Sequence, residues 1–318
     1  MPRAARRTSY AQRLDRVLDH IADHLHDELT LARLAHVAGF SPFHFHRLFQ
    51  ARTGETVHAH VRRVRVERAA SQMRVAPARP LTDIALEVGF PALSDLSRAF
   101  KARYGIAPSR WNRRDALPDS AQLVTHVRLG DAELAARAQR VGVAVLPRSL
   151  FVYTRVFAPY GSQRLVDAYH ATRQWLAAID RAPEDVIFAG MSIDDPAVVP
   201  LAQCRYDLGV LFPFGSSGVV ADIARARGAA MHVAPPSPPE VDAAGLSARR
   251  FGALELATAH VQGDLTAVDT AWQWLYRRWL PGQRRLPANL PAMELFVRLP
   301  EDIGWERFDL LACVPLAD

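Results

Sequence analysis

Cysteine occurs only twice, at Cys204 and Cys313, too few for a disulfide framework or a thiolate metal site, and this fits a reducing compartment. No apolar run approaches the ~20 residues that a bilayer span needs, and the basic start MPRAARRTSYAQRLDRV has no hydrophobic stretch behind it. A soluble, cytoplasmic, uncleaved chain with no membrane partner is expected. No GxSxG, phosphate loop, HExxH or cysteine cluster is present, so enzyme templates largely fail, and no catalytic group, cofactor or metal is expected. Lysine is nearly missing: Lys101 is the only one, so arginine carries almost all the positive charge.

What is present is enough apolar material to fold. The chain has 318 residues, 49% hydrophobic and 23% charged, which excludes wholesale disorder and suggests two domains. Charge divides them. Residues 1–115 carry 20 Lys+Arg against 11 Asp+Glu, or +9, and residues 116–318 carry 19 against 22, or −3. A basic small domain is the electrostatic footprint of a polyanion partner, nucleic acid first among them. A merely solvated surface would carry the same charge, so motifs must decide.

The first 115 residues hold an internal duplication. LARLAHVAGF (31–40) matches LTDIALEVGF (81–90), and RLFQARTG (47–54) matches RAFKARYG (98–105). Each copy reads as a short helix, a glycine turn, and a second helix closed by another glycine: the grammar of a helix-turn-helix. In the first copy Ser41 is a good N-cap and Pro42 suits the first helical position; Pro91 and Ala92 make the second start weaker. At 100° per residue, Phe45, Leu48 and Phe49 face inward, Phe43, Arg47 and Gln50 outward, and His46 lies on the flank. The outward set of the second copy is Ser94, Arg98 and Lys101. An outward arginine can fork to guanine or to phosphate, and an outward Phe43 suits thymine methyls. Between the copies, residues 57–75 lack Gly and Pro and predict one helix of about 28 Å, long enough to set two recognition helices near the ~34 Å groove repeat of DNA. Arg62, Arg63, Arg65 and Arg68 on it are phosphate candidates. Eight of the 12 histidines fall in residues 1–60, but their spacing does not predict a metal site.

The run GFSPFHFHRLFQARTG, then RVRVERAA, then LTDIALEVGFPALSDLSRAFKARYGIAPSRW resembles the AraC/XylS family of bacterial transcription regulators over about residues 12–114. The resemblance implies that Phe43, His46 and Arg47 read bases in the first motif and that Leu93, Ser94, Asp95 and Arg98 occupy the reading positions of the second. Leu93 and Asp95 suit phosphates poorly, so the first motif is expected to carry most of the specificity. RNA polymerase is a further candidate partner.

Residues 116–140 read as a linker and 141–318 as an α+β domain. Short β-like runs (VGVAVLP, LFVYTRVF, VIFAGMSI, YDLGVLF, ALELATAHV, AMELFVRL, FDLLACVPL) are interrupted by helical stretches at 162–180 and 264–280. The order strand, helix, strand, strand occurs twice, predicting two similar halves packed side by side, with the Pro-rich 234–245 as an exposed joint. Alternation in AMELFVRL puts Met293, Leu295 and Val297 on one face and Glu294, Phe296 and Arg298 on the other. From spacing alone a solvent-facing Glu294 is the simpler reading; buried among aromatic rings it would select lipophilic cations. VFAPYGS, the turn Asp194–Pro196, CRYDLGVLF, HVQGDLTAVDTAWQWLYRRWLP and PAMELF together resemble the GyrI-like effector-binding domain over about 148–318. That resemblance implies an aromatic-lined cleft holding Glu294, with Tyr160, Tyr206 and Trp272 as walls and a small, lipophilic or cationic effector. Departures are Ala158 where a glycine is usual, Met293 before the acid, and the long Pro-rich segment. The expectation is a multidomain transcription regulator: an all-α tandem helix-turn-helix domain followed by a GyrI-like effector-sensing domain. Two rivals differ in the tail: Glu294 as a general base hydrolysing a reactive molecule, or a cleft that only sequesters a toxic one.

Overall fold

The computed structural model describes residues 9–112, 129–196, 198–228, 234–283, 285–288 and 290–317. The chain divides into two compact units: Met1–Ala121 with Ala197–Pro200, and Gln122–Pro196 with Leu201–Asp318.

Among the described residues the first unit runs α1 (Tyr10–Asp23), α2 (Leu31–Ala38), α3 (Pro42–Thr53), α4 (Val57–Val75), α5 (Leu81–Glu87) and α6 (Leu93–Tyr104). Local chemistry accounts for the starts. Ser9 and Gln12 form a capping box on α1, and the side chains of Thr30, Ser41 and Thr56 accept from the third residue of α2, α3 and α4. Helix α6 begins at Ala92 with no side-chain cap, as the weak Pro91–Ala92 start suggests. The predicted 57–75 helix is α4, and Val57, Val61 and Val64 are buried along it.

The duplication reaches further back than the glycine motifs, to RLD at 13–15 and RVE at 65–67, so each copy is a three-helix unit. Arg52 on α3 pairs with Asp15 on α1 at 3.3 Å, and Arg103 on α6 pairs with Glu67 on α4 at 3.2 Å. Gly39 and Gly89, at φ +65° and +90°, make the turns, and an arginine of each copy lies against them. Arg13 donates to the carbonyls of Ala38 and Gly39; a Cβ at Gly39 would come within 2.8 Å of its guanidinium. Arg65 lies as close to Gly89, but it donates to Leu25 O at 2.9 Å and Asp27 O at 2.8 Å, in the first copy. The second copy's arginine thereby ties the two motifs together. Arg63 also turns inward, to Glu55 and Glu67. Arg63 and Arg65 are therefore corrected from phosphate candidates to internal struts, while Arg62 is exposed.

Of the expected linker, 116–128 lies outside the described residues. The second unit then runs α7 (Asp131–Ala136), β1 (Val141–Leu146), β2 (Ser149–Phe157), α8 (Arg164–Ala178), β3 (Ile187–Ser192), β4 (Arg205–Pro213), α9 (Val219–Arg227), α10 (Pro238–Ala243), β5 (Ser247–Phe251), β6 (Leu254–Gly263), α11 (Leu265–Trp274), β7 (Ala292–Phe296), α12 (Pro300–Ile303) and β8 (Phe308–Pro315). The strands form one antiparallel sheet in the order β1-β6-β8-β7-β3-β4-β2-β5. Exchanging β1 with β5, β2 with β6, β3 with β7 and β4 with β8 reverses this order onto itself. Two similar halves are present, but they share a continuous sheet through β3–β7, and each half's leading strand pairs on the edge of the other half. The Pro-rich segment read as a joint carries α10, started by a Ser237–Glu240 capping box with Val241 buried. One face of the sheet is closed by Phe151, Tyr153, Met191, Met293, Leu295 and their neighbours with α9. The other is packed by α8 on β2 and β4 and by α11 on β6 and β8, which leaves β7 and β3 as the floor between those helices.

The polar knot of the first unit has a pH signature. Glu55 accepts from buried His60 at 2.8 Å and from Arg63 at 2.6 Å. Burial raises its pKa, but the hydrogen bonds from His60 and Arg63 and the arginine's charge outweigh that and hold it at about 2. A depressed folded-state pKa gives stability that is full above the unfolded carboxylate value and is lost as pH falls toward about 2. Denaturant unfolding should show wild type more stable than Glu55→Gln at pH 6, with the gap shrinking steadily as pH falls below 4.5. A gap independent of pH would contradict the network.

Candidate functional site

On α3, Phe43 is 74% exposed and Arg47 and Gln50 are exposed, while Phe45 and Phe49 are fully buried. His46 is half-buried on the flank, and so is Leu48, which was expected inside. The Arg47 guanidinium stands 5.9 Å from the Phe43 ring, so the two form one outward surface. On α6, Ser94, Arg98 and Lys101 are exposed and Asp95 is half-buried. Asp95 forms an ion pair with Arg98, three residues on, which neutralises the outward arginine of the second copy. The first copy has no such acid beside Arg47: its helix carries none. The residues expected to touch DNA thus lie on the outward faces of α3 and α6, but the two copies differ in the charge they offer.

Histidines in this unit have local roles. His20 and His24 stack at 4.1 Å, and His60 is used by Glu55. Among the described residues no three of His, Cys, Asp and Glu come together as metal ligands.

In the second unit Glu294 lies on β7 at the centre of the sheet, facing α8 and α11. Its register partners are Gly190 on β3 and Ala312 on β8, both small, so neither directly paired residue covers it. Tyr206 on β4 donates to Oε2 at 2.5 Å, and the Trp272 indole on α11 donates to Oε1 at 3.2 Å. Three of the expected residues therefore touch. The fourth, Tyr160, stands in the turn before α8, with Ser192 as hydrogen-bond partner and Glu294 close enough to raise its pKa. Tyr276, which sequence reading missed, stacks on Trp272 at 6.1 Å; the four-residue helical spacing from Trp272 was the available signal.

Burial raises the Glu294 pKa, and the hydrogen bonds from Tyr206 and Trp272 pull it part of the way back. By surface area the side chain is only partly covered. Protein on most sides removes bulk water from the carboxyl, while the residue keeps some exposure. Desolvation and the nearby acid push the Tyr206 phenol well above its ordinary value, and burial does the same for Tyr160. Both remain neutral, so the ionised acid has donors but no cation among these partners. Two bidentate ion pairs, Arg155–Asp207 and Arg205–Asp194, hold the end of β4 that carries Tyr206. An acid so placed can bind an organic cation between aromatic faces.

A GyrI-like small molecule binding domain model matches residues 146–315, and a helix-turn-helix domain model matches 6–114. A small-molecule binding domain thus stands behind a helix-turn-helix domain. The chain belongs to the GyrI-like small molecule binding domain family. Its N-terminal part is 36% identical over 89 residues to the right origin-binding protein of Escherichia coli K12, covering 28% of this chain and 30% of that protein. It is 27% identical to the regulatory protein SoxS of Salmonella typhimurium, covering 33% of this chain and 98% of that one. The DNA-binding domain of AdpA, solved with a target DNA, is 24% identical, with a TM-score of 0.29 over 31% of this chain and 87% of that one. The match spans under a third of the first of these relatives.

The departure at Ala158 has a visible cost. Ala158 holds φ +47°, a left-handed conformation unusual for a residue with a Cβ, two positions before Tyr160. Ala158→Gly is expected to raise unfolding stability by about 1 kcal/mol, the relieved strain exceeding the added chain entropy. A shift of the denaturant midpoint upward at constant slope would show this; a downward shift would contradict it.

Proposed function

We propose that the protein is an AraC-type transcription regulator acting in the cytoplasm, which binds double-stranded DNA through its first unit and a small lipophilic cation through its second. Phe43, His46, Arg47 and Gln50 read bases from α3. Ser94, Asp95, Arg98 and Lys101 on α6 contribute less base reading and more clamping of the duplex, because the Asp95–Arg98 pair occupies the outward arginine while the exposed Lys101 is placed for a phosphate. Glu294 supplies the countercharge for the effector, and Trp272, Tyr206 and Tyr160 supply ring faces and donors. The observation that carries the reading is the desolvated Glu294, held by two neutral donors with no cation among these partners. A DNA-binding protein without an effector has no use for such a costly acid. RNA polymerase is a further partner suited to such a regulator, and no step here requires catalysis. The helices contribute no membrane span: among the described residues none is long and apolar enough.

Arg47→Ala should relax discrimination at one base pair by about 1–3 kcal/mol, and Arg98→Ala should change discrimination less. Competition binding at fixed salt against duplexes substituted one base at a time checks this. Uniform weakening by Arg47→Ala on every sequence would make that residue a phosphate contact.

Quenching of tryptophan fluorescence by tetraphenylphosphonium should report saturable binding that weakens at least about tenfold in Glu294→Gln. Wild-type affinity should fall as pH drops through the raised titration range of Glu294, because the neutral acid attracts no cation. Unchanged affinity in Glu294→Gln would overturn the effector assignment.

A further inference from the structure

Positions 190 and 294 are register partners across β3–β7, the seam about which the strand order reverses onto itself. One holds the acid, and the other holds no side chain at all. The space that a side chain at 190 would fill is already taken: a Cβ built there would lie 1.7 Å from the Tyr206 hydroxyl oxygen and 2.3 Å from the ring carbon bearing it. Tyr206 stands opposite Ser192, two residues along β3 from Gly190, so its side chain must pass over Gly190 to reach Glu294 two strands away. Gly190 has no left-handed backbone to explain it. Gly209, next to Leu208 on β4, is a different case, since a Cβ there would strike the backbone of Val152 and Tyr153.

We propose that Gly190 is the specificity-determining position of the cleft: its bare Cα is the passage through which Tyr206 reaches Glu294, leaving a single, oriented acid to receive one positive charge. The assignment rests on the reading of Glu294 as a cation-binding group. Any larger residue at 190 pushes the phenol off the carboxylate and removes one of the two donors that favour its ionised form. The titratable groups facing Glu294 are Tyr206 from β4 and Tyr160 from the turn before α8; Cys313 on β8 pairs with Met293 and packs on the opposite face of the sheet. Both phenols are held above their ordinary values and stay neutral, so within this cluster Glu294 is the group that changes charge as pH crosses its raised titration range.

The test follows the Glu294 carboxyl carbon by NMR through a pH titration of the full chain, its signal identified by its loss in Glu294→Gln. Gly190→Ala and Tyr206→Phe should each raise the midpoint by about one pH unit, and the double variant by no more than either alone. A midpoint unmoved by Gly190→Ala, or effects that add, would overturn the proposal. Stability provides a second reading: Gly190→Ala should cost stability in wild type but nothing further in Tyr206→Ala, where the ring is gone. An equal cost in both backgrounds would mark Gly190 as a backbone requirement instead. At a pH below the wild-type midpoint, tetraphenylphosphonium affinity in Gly190→Ala should fall about tenfold, in step with the midpoint. A shifted midpoint with unchanged affinity would remove the cation reading, and the specificity assignment with it, while leaving the positioning of Tyr206 in place.

Discussion

A carboxylate taken out of water must be given replacement donors or a cation, or it is held ionised only at a cost of several kcal/mol. Glu294 sits at the middle of an eight-stranded sheet with two donors and no cation among its partners, and much of the second unit is arranged around that condition. Tyr206 comes from the half that lacks the acid, and Trp272 from the helix of the half that has it. The β3–β7 seam brings them together because it pairs Glu294 with Gly190, whose missing side chain lets Tyr206 reach the acid across the strand. The same helix α11 continues into a π-helical turn, Leu275–Trp279, whose Arg277 and Arg278 bind Leu129 and Asp131. The segment by which the chain enters this unit is therefore fastened to the helix that carries Trp272.

The first unit obeys a different constraint. On the proposed DNA-binding reading, two helices serve one duplex only if their relative placement is fixed, and a bare connecting helix can still bend. Arg65 answers this by bonding the carbonyls of Leu25 and Asp27 while lying on the Gly89 turn, so the second motif is held against the first. Glu67 gathers Arg63 and Arg103 in the same region. Arginines that would otherwise raise the positive potential are used as internal struts, and the outward charge falls to residues such as Arg47 and Arg62.

Much of this was legible in the sequence, for identifiable reasons. Helices α3 and α4 announced themselves through Ser41, Pro42 and an uninterrupted apolar period, and the alternation in AMELF put Glu294 on the face opposite Met293 and Leu295. The roles of Arg63 and Arg65 were not legible, because an arginine bonding a distant carbonyl leaves the same letters as one facing phosphate. Strand β5, with the sequence SARRF, is too short and too charged to read as a strand. The exchange of leading strands between halves is a long-range pairing that no local pattern encodes. Gly190 was invisible for the plainest reason: a missing side chain has no periodicity, and its meaning appears only when Tyr206 is seen lying over it. The symmetry of the halves was readable from the order of elements, but not that they would merge into one sheet.

On the proposed function the effector and the duplex favour different states, and such linkage is reciprocal: whatever factor the cation imposes on DNA affinity, DNA must impose on cation affinity. The most direct measurement is the dissociation constant for tetraphenylphosphonium with and without a saturating duplex selected from a random pool by the protein itself. The account predicts that the two constants differ, and that the ratio equals the change in duplex affinity caused by saturating cation. Identical constants, with both ligands bound at once, would contradict it.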